Sequence, residues 1–324
     1  MLKPLVTSGL NINGSLPIQA TQLAKSWDLL YWAIFAISIF FFVLVMAAMV
    51  WFAIKYRDRP GAKAKYIEHH IPLEIVWTVV PTILVLAIFA WGWVLYEKMI
   101  SPPSDAYEIR VVGKQWLWQF MYADGRSMTN EVYVPVRKPV KFVMTSTDVL
   151  HSFFIPDFRV KQDVVPGMYT SVWFEATVPG DHIVFCAEYC GTAHSGMLAK
   201  VIALEEKDWN DFVKGKEMKL ASATTGGTLI EKGEKLTQLK GCVACHSADG
   251  SARIGPTYKG LLGREREFAD GSKVVADENY IRESIEQPEK HKVKGFEQLV
   301  MPSFSGQLNE EEFGALIAYI KQLK

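Results

Sequence analysis

The chain has 324 residues, of which 49% are hydrophobic, and its 35 basic and 35 acidic residues give a formal net charge of zero. Because single domains rarely exceed about 250–300 residues, a chain of this length is expected to form roughly two or three units. The neutral charge, without a basic stripe interleaved with aromatic residues, argues against a nucleic-acid partner.

The first third of the chain contains two long uncharged segments, residues 29–54 and 75–96. At about 1.5 Å rise per residue, a helix of either length crosses a hydrocarbon layer about 30 Å thick. Pro81 and Gly92 in the second segment are tolerated in membrane helices. Residues 29–100 are therefore predicted to form a transmembrane hairpin.

Basic residues are concentrated in the loop between these spans: Lys55, Arg57, Arg59, Lys63 and Lys65. Short loops rich in Lys and Arg stay in the cytoplasm, so both termini and all residues from 101 onward are expected on the periplasmic or equivalent outer side of a bacterial inner membrane. Residues 1–28 lack the continuous apolar core of a cleavable signal peptide. They are expected to form an outer N-terminal segment, and the first span is expected to act as its own insertion signal.

After the second span the pattern changes to short alternating or β-branched runs, such as residues 107–112 and 140–145. Turn sequences, such as Val-Pro-Gly at 165–167, separate these runs. This pattern predicts an all-β sandwich or barrel over residues 101–204.

The last part of the chain is predicted to be a linker followed by a small helical domain. Residues 205–226 mix a charged helical segment with small polar residues, a composition typical of linkers. Residues 227–324 contain helical patterns at both ends, and the second begins with the capping pair Asn309 and Glu312. We expect a mostly α-helical domain here.

The four cysteines occur as two close pairs, Cys186 with Cys190 and Cys242 with Cys245, each with a histidine nearby. This arrangement indicates cofactor chemistry, although spacing alone also allows two structural disulfides in an exported protein.

Soft ligands cluster around the first cysteine pair. His194 and Met197 follow Cys190 closely, and Glu188 lies between the two cysteines. Two thiolates, an imidazole and a thioether favour copper over hard cations, whereas structural zinc uses four strong ligands and no Met. A copper site is therefore predicted.

A copper site of this kind needs a second imidazole. His151, which follows a predicted strand, is the preferred candidate. His182 competes with it, but it lies inside a predicted strand, where a histidine that is satisfied by core hydrogen bonds is at least as common.

The second cysteine pair forms the C-x-x-C-H pattern with His246. In this pattern two thioethers attach a c-type haem and the histidine is the proximal iron ligand. Met301 is the only methionine after His246, and Pro302 follows it. The sequence therefore predicts haem c with His246 and Met301 as axial ligands.

The pattern C-x-E-x-C-G-x-x-H-x-x-M, with DVLHS and QDVVPG upstream, resembles subunit II of haem-copper cytochrome oxidases over residues 25–204. This resemblance implies a cupredoxin-like barrel holding a dinuclear CuA centre. It implies a copper ligand set that consists of both bridging cysteines, two terminal histidines, an axial methionine and an axial backbone carbonyl: Cys186, Cys190, His151, His194, Met197 and Glu188. It also implies that the Glu188 side chain binds magnesium at the interface with subunit I.

The resemblance suggests two further roles. Trp116, in the sequence KQWLW, matches the tryptophan at which electrons enter the family's copper domain, although Lys114 and Leu117 differ from the commoner His and Tyr. Glu74, near the start of the second span, matches the glutamate at the entrance of a proton path into subunit I.

The C-terminal domain resembles class I cytochrome c, so the whole chain resembles the caa3 type of oxidase. This implies that cytochrome c or another respiratory donor reduces haem c, that electrons pass to CuA, and that oxygen is reduced in subunit I. Neither span contains a histidine, so no haem-copper oxygen site is expected in this chain. Two alternatives stay open: the corresponding subunit of a CuA-containing nitric oxide reductase, and a membrane-anchored copper-delivery protein.

Overall fold

A computed structural model describes residues 16–61, 63, 66, 68–215, 228–297 and 300–324. The chain divides into two compact units. One consists of residues 22–102, and the other consists of residues 103–324 together with the segment that precedes Gln22.

The first unit is a pair of helices, α1 Gln22–Lys55 and α2 Ile71–Ile100, both long and apolar enough to cross a membrane. Each helix extends beyond its predicted span at both ends, because a helix can continue past the hydrocarbon layer. Large apolar side chains such as Phe40 and Phe42 are exposed along the helices. A surface of this kind is expected to contact lipid or protein rather than water.

The β domain contains ten strands: β1 Tyr107–Lys114, β2 Leu117–Met121, β3 Ser127–Thr129, β4 Glu131–Pro135, β5 Pro139–Ser146, β6 His151–Ile155, β7 Val160–Val164, β8 Thr170–Glu175, β9 Gly180–Cys186 and β10 Leu198–Leu204. They form two five-stranded sheets with the orders β3-β2-β1-β5-β8 and β4-β10-β9-β6-β7. The predicted all-β, cupredoxin-like architecture is confirmed.

Alternating side chains of these strands fill the space between the two sheets. Burial alternates at every residue along β5, as expected for a strand with one face toward the core. Phe142 of β5 meets Phe153 of β6 edge to face at 5.5 Å between ring centroids, and Phe120 of β2 joins them. This core fixes the strand ends that carry the candidate ligands.

A short helix, α3 Glu206–Val213, lies within the segment that the sequence assigns to the linker. Its residues Trp209 and Phe212 are buried in the barrel core, where Phe212 lies 4.9 Å from Tyr133 between ring centroids. The charged residues of this segment suggest an exposed linker. Trp209 and Phe212 stand three residues apart, however, and so lie on one face of the helix. The remainder of the predicted linker, residues 216–226, lies outside the described residues.

The C-terminal domain contains the helices α4 Leu229–Leu239, α5 Cys242–Cys245, α6 Glu278–Glu286 and α7 Glu310–Gln322, and the small strands β11 Glu265–Glu267 and β12 Lys273–Val275. Helix α7 begins with the predicted capping box of Asn309 and Glu312. Helices α4 and α7 cross at Gly233, where a Cβ atom would lie only 2.1 Å from the Ala315 carbonyl oxygen. The predicted helical domain is confirmed.

Candidate metal centres

The candidate copper ligands lie mainly in the loop that joins β9 to β10. Cys186 ends β9, and a single 3-10 turn, His194–Gly196, leads to Met197 just before β10. The Cys186 backbone N–H donates to the Met197 carbonyl at 3.3 Å. Because β9 and β10 are hydrogen-bonded neighbours, the two ends of the loop lie side by side.

The donor atoms form two half-sites around two sulfur atoms. Cys186 Sγ lies 3.9 Å from His151 Nδ1 and 3.3 Å from the Glu188 carbonyl oxygen. Cys190 Sγ lies 3.5 Å from His194 Nδ1 and 3.7 Å from Met197 Sδ. The two sulfur atoms are 3.7 Å apart, and both cysteines are free. Each thiol therefore has one imidazole and one weak donor beside it.

The two thiols differ in their affinity for protons. Burial raises the pKa of the Cys186 thiol, but the His151 side chain and nearby backbone groups outweigh this effect and lower the pKa. Burial and the charge of Cys186 raise the pKa of Cys190. Two adjacent thiolates without a metal would repel each other, so the pair fits a site in which cations neutralise both.

Side chains behind His151 fix its orientation. Its Nε2 atom bonds to Asp148 Oδ1 at 2.8 Å, and Asp148 Oδ2 accepts the Gln115 N–H at 2.7 Å. Gln115 Nε2 in turn donates to the Cys190 carbonyl at 2.7 Å. A carboxylate behind a histidine directs the other ring nitrogen to the metal, which here is Nδ1.

His182, the competing candidate, is held elsewhere. Its Nδ1 atom bonds to Asp157 Oδ2 at 2.9 Å and its Nε2 atom to the Val178 carbonyl at 3.0 Å. Both ring nitrogens of this buried histidine are satisfied, so the geometry favours His151 as the ligand.

Glu188 presents its two functional groups in different directions. Its carbonyl faces Cys186 Sγ, whereas the residue is exposed overall. The carboxylate is therefore available to a group outside the barrel, and magnesium binding by Glu188 stays a prediction.

Two tryptophans lie near the donor set. Trp116 packs against the copper loop, since a Cβ atom on Gly191 would lie 3.0 Å from its indole, and only 7% of Trp116 is exposed. Trp118 is fully buried and meets the His151 ring edge to face at 5.8 Å between centroids. Electron entrance through Trp116 stays a prediction.

Sequence reasoning did not identify Gln115 as part of this site. Its contact with the Cys190 carbonyl joins residues far apart in the chain, and no local pattern signals it. Asp148 stands three residues before His151 in the sequence, so a search for carboxylates near a candidate ligand could have found it.

In the haem motif, Cys242 and Cys245 begin and end the single-turn helix α5, and His246 follows directly. His246 Nδ1 donates to the Pro256 carbonyl at 2.6 Å, and its ring stacks on Tyr258 at 4.8 Å between centroids. A Cβ atom on Gly255 would lie 2.9 Å from His246 Cε1, so only glycine fits beside the ring.

This arrangement fits an axial iron ligand. With Nδ1 bonded to a backbone carbonyl, Nε2 is the nitrogen available to iron. Burial lowers the pKa of His246, which favours the neutral form that a metal requires. The two free thiols and this oriented imidazole therefore fit a covalently attached haem c.

Met301, the predicted second axial ligand, lies partly buried in the segment between α6 and α7. Ser303 Oγ donates to the Glu286 carbonyl at 2.6 Å, and the Phe304 N–H donates to the Ile285 carbonyl at 3.1 Å. These bonds hold the segment against the end of α6. Ligation of iron by Met301 stays a prediction.

Glu74, the predicted proton-path residue, lies in the first turn of α2. Its carboxylate accepts the His70 backbone N–H at 3.2 Å and lies 3.7 Å from His69 Nδ1. These contacts cap the helix start. A role in proton uptake stays a prediction.

Three family models match the chain: the cytochrome c oxidase subunit II transmembrane domain over residues 9–93, the periplasmic domain of the same subunit over 124–204, and cytochrome c over 230–324. The chain is 34% identical over 298 residues to cytochrome c oxidase subunit 2 of Alkalihalophilus pseudofirmus. This alignment covers 87% of this chain and 84% of that relative.

Two further relatives match shorter parts of the chain. An alternative cytochrome c oxidase subunit 2 of Bradyrhizobium diazoefficiens is 32% identical over 228 residues, or 60% of this chain and 82% of the relative. The crystal structure of the periplasmic domain of cytochrome oxidase subunit II from Bradyrhizobium japonicum is 30% identical, with a TM-score of 0.35, and matches 37% of this chain and 100% of that one. The family models together match the region of the two membrane helices, most of the β domain and the haem motif, and the first relative matches 87% of the chain. This chain therefore belongs to the cytochrome c oxidase subunit 2 family, a component of haem-copper terminal oxidases, and carries a C-terminal cytochrome c domain.

Proposed function

We propose that this chain receives electrons for a terminal oxidase and relays them from a respiratory donor through haem c and CuA to subunit I, where oxygen is reduced. The observation that carries this proposal is the pair of half-sites around Cys186 and Cys190, each with one imidazole and one weak donor. A single-copper site would not need the second half-site.

Cys186, Cys190, His151, His194 and Met197 would hold a copper pair, which would supply one-electron transfer with little rearrangement of the protein. The protein contributes a rigid, dry environment. Cys186, Cys190 and Met197 are buried, and the chain of hydrogen bonds through Asp148 and Gln115 fixes His151 and the loop backbone. Such support from outside the ligand set tunes a metal centre and preserves its geometry.

In the C-terminal domain, Cys242 and Cys245 would attach the haem and His246 would bind its iron, with Met301 as the second axial ligand. A His and Met pair raises the haem potential relative to two histidines. The hydrogen bond from His246 Nδ1 to the Pro256 carbonyl and the stacked ring of Tyr258 prevent rotation of the imidazole.

The proposed placement follows from the basic loop between α1 and α2. With this loop in the cytoplasm, the copper and haem domains lie on the outer side of a bacterial inner membrane. The donor there would be cytochrome c or another respiratory protein. The exposed Glu188 carboxylate would meet subunit I, where it would bind magnesium, and Glu74 would lie at the cytoplasmic entrance of a proton path.

Copper delivery requires one Cu(I) ion that is easily released. The convergence of two thiols, two imidazoles and a thioether disfavours release, because Cys186, Cys190, Met197 and His151 are buried. Nitric oxide reduction would use the same electron relay with a different catalytic subunit, so the relay geometry of this chain suits both the oxidase and the reductase.

The experiment that tests the proposal is rapid mixing of the purified complex with a reduced donor. We expect haem c to be reduced first, copper next, and oxygen to be consumed with turnover much faster than that of nitric oxide. Faster turnover of nitric oxide than of oxygen would identify the complex as a nitric oxide reductase. Copper that stays oxidised while oxygen is consumed would exclude the proposed electron relay.

A further inference from the structure

The haem domain contacts the β domain at the turn Thr129–Asn130–Glu131, which joins β3 to β4 and is called the docking turn below. Lys240 Nζ bonds to Glu131 Oε2 at 2.7 Å, and the side chains are only 4% and 3% exposed. Gln307 Oε1 accepts the Thr129 backbone N–H at 2.8 Å. The turn therefore receives contacts from two separate segments of the haem domain.

Both segments adjoin the haem-binding residues. Lys240 and Gly241 directly precede Cys242, whereas Gln307 donates to the Ser303 carbonyl at 2.9 Å and so belongs to the segment that carries Met301. Ala244 and Cys245 also pack against the hydrophobic core of the barrel. Segments on both sides of the predicted haem site thus contact the docking turn or the barrel beside it.

On its other side the docking turn is connected to a copper ligand. Asn130 Oδ1 accepts the Trp118 backbone N–H at 2.8 Å, and the Trp118 ring meets that of His151. Asn130 has a positive φ of 58°, and Gly241, with a φ of 75°, lies so close that a Cβ atom would be 2.5 Å from Asn130 Nδ2. The fit between the two domains is close at this point.

The Lys240–Glu131 pair has an unusual energetic role because its members belong to different domains. Lysine and glutamate are almost never fully buried unless they are paired. When the domains are apart, water solvates both charges. If one partner is neutralised, docking buries an unpaired charge, whereas neutralising both removes the desolvation cost.

We propose that the docking turn and the buried Lys240–Glu131 pair hold the haem domain in a fixed position on the copper domain, with the haem crevice directed at Trp118 and His151. This inference rests on the proposed function for its purpose, since electron transfer slows steeply with distance between centres. Tethering already raises the local concentration of the haem domain, and the ion pair makes one of its orientations dominant. Lys240 and Glu131 are positioning residues in this scheme.

The test uses the full chain with both cofactors in four forms: wild type, Glu131→Gln, Lys240→Gln and the double variant. Docking is read from amide hydrogen exchange in the peptide that contains Thr129, and transfer is read from the rate at which rapidly reduced haem passes its electron to copper. The control is Glu278→Gln, which breaks an exposed pair with Lys321 inside the haem domain.

Each single variant is expected to lose about a hundredfold of the exchange protection at Thr129 and to transfer electrons more slowly, because an unpaired charge must be buried on docking. The double variant is expected to recover most of the protection. Glu278→Gln is expected to match wild type, since exposed pairs contribute little.

Wild-type protection at Thr129 in both single variants would overturn the proposal, and so would a double variant in which the two losses simply add. Copper and haem absorption spectra report the fold of each variant. If Glu131→Gln loses its copper spectrum, Lys240→Gln alone still decides, because Lys240 lies in the other domain. A wild-type chain that is protected at Thr129 but transfers no electron would contradict the proposed function and leave the docking intact.

Discussion

The copper and haem sites of this chain are organised differently. One loop between two hydrogen-bonded strands supplies most of the copper donors, and β6 supplies His151. In the haem site His246 and Met301 come from separate segments, each held by its own hydrogen bonds. The copper site therefore depends mainly on the geometry of one loop, whereas the haem site depends on the packing of two segments.

The largest expected effect follows from removing a bridging thiol. Cys190→Ser leaves both imidazoles but removes the sulfur of the half-site that contains His194 and Met197, so we expect complete loss of the dinuclear copper signal. Cys242→Ser is the matched control, because it removes one haem thioether and leaves the copper ligands intact. An unchanged copper spectrum in Cys190→Ser would show that this sulfur does not bind copper.

The next effect tests the second of the two haem-binding segments. Met301→Ala is expected to retain covalent haem, to lower its reduction potential and to open an axial position to added ligands. Visible spectroscopy and a redox titration measure this, with the copper signal as internal control. If the haem spectrum and potential stay as in wild type, another group is the second axial ligand.

A third change tests how far the copper loop depends on the barrel as a whole. Trp209→Ala removes a buried aromatic residue of α3, and losses of this kind cost about 3–5 kcal/mol of unfolding free energy. Chemical denaturation of the full chain, followed by the copper absorption, should show this loss while the spectrum of the folded state is unchanged. A loss below about 1 kcal/mol would mean that α3 is part of the linker and not of the barrel.

The smallest effect concerns the carboxylate behind His151. Asp148→Asn weakens the bond that orients the imidazole, and such changes typically reduce metal affinity about 10–100-fold. Competition with a copper chelator measures the affinity. Asp157→Asn, which alters the analogous partner of His182, is the matched control and should leave copper affinity unchanged. Equal losses of copper affinity in both variants would contradict the assignment of His151, rather than His182, as the copper ligand.

Much of this organisation could be predicted from local sequence. The membrane helices, the alternating strands and both cysteine motifs are local patterns, and the copper loop places five of the six donor residues close together in the chain. Local sequence favours His151 over His182 but does not show what excludes His182, because both lie on strands. Their partners decide it: Asp148 leaves one nitrogen of His151 for copper, whereas Asp157 and the Val178 carbonyl occupy both nitrogens of His182.

Contacts between distant segments account for what the sequence could not predict. The pairing of Lys240 with Glu131 joins residues 109 positions apart, and that of Gln307 with Thr129 joins residues 178 positions apart. Similarly, the burial of Trp209 depends on Tyr107 of β1, which meets it edge to face. Patterns of charge and hydrophobicity in one segment carry no information about such partners.

The central claim is that two half-sites hold two copper ions as one centre. Electron paramagnetic resonance of the copper-loaded chain, with metal analysis of the same sample, tests it most directly. We expect two copper ions per chain and hyperfine coupling shared equally between two nuclei. One copper ion per chain without a paramagnetic signal would contradict the claim and favour a copper-delivery protein.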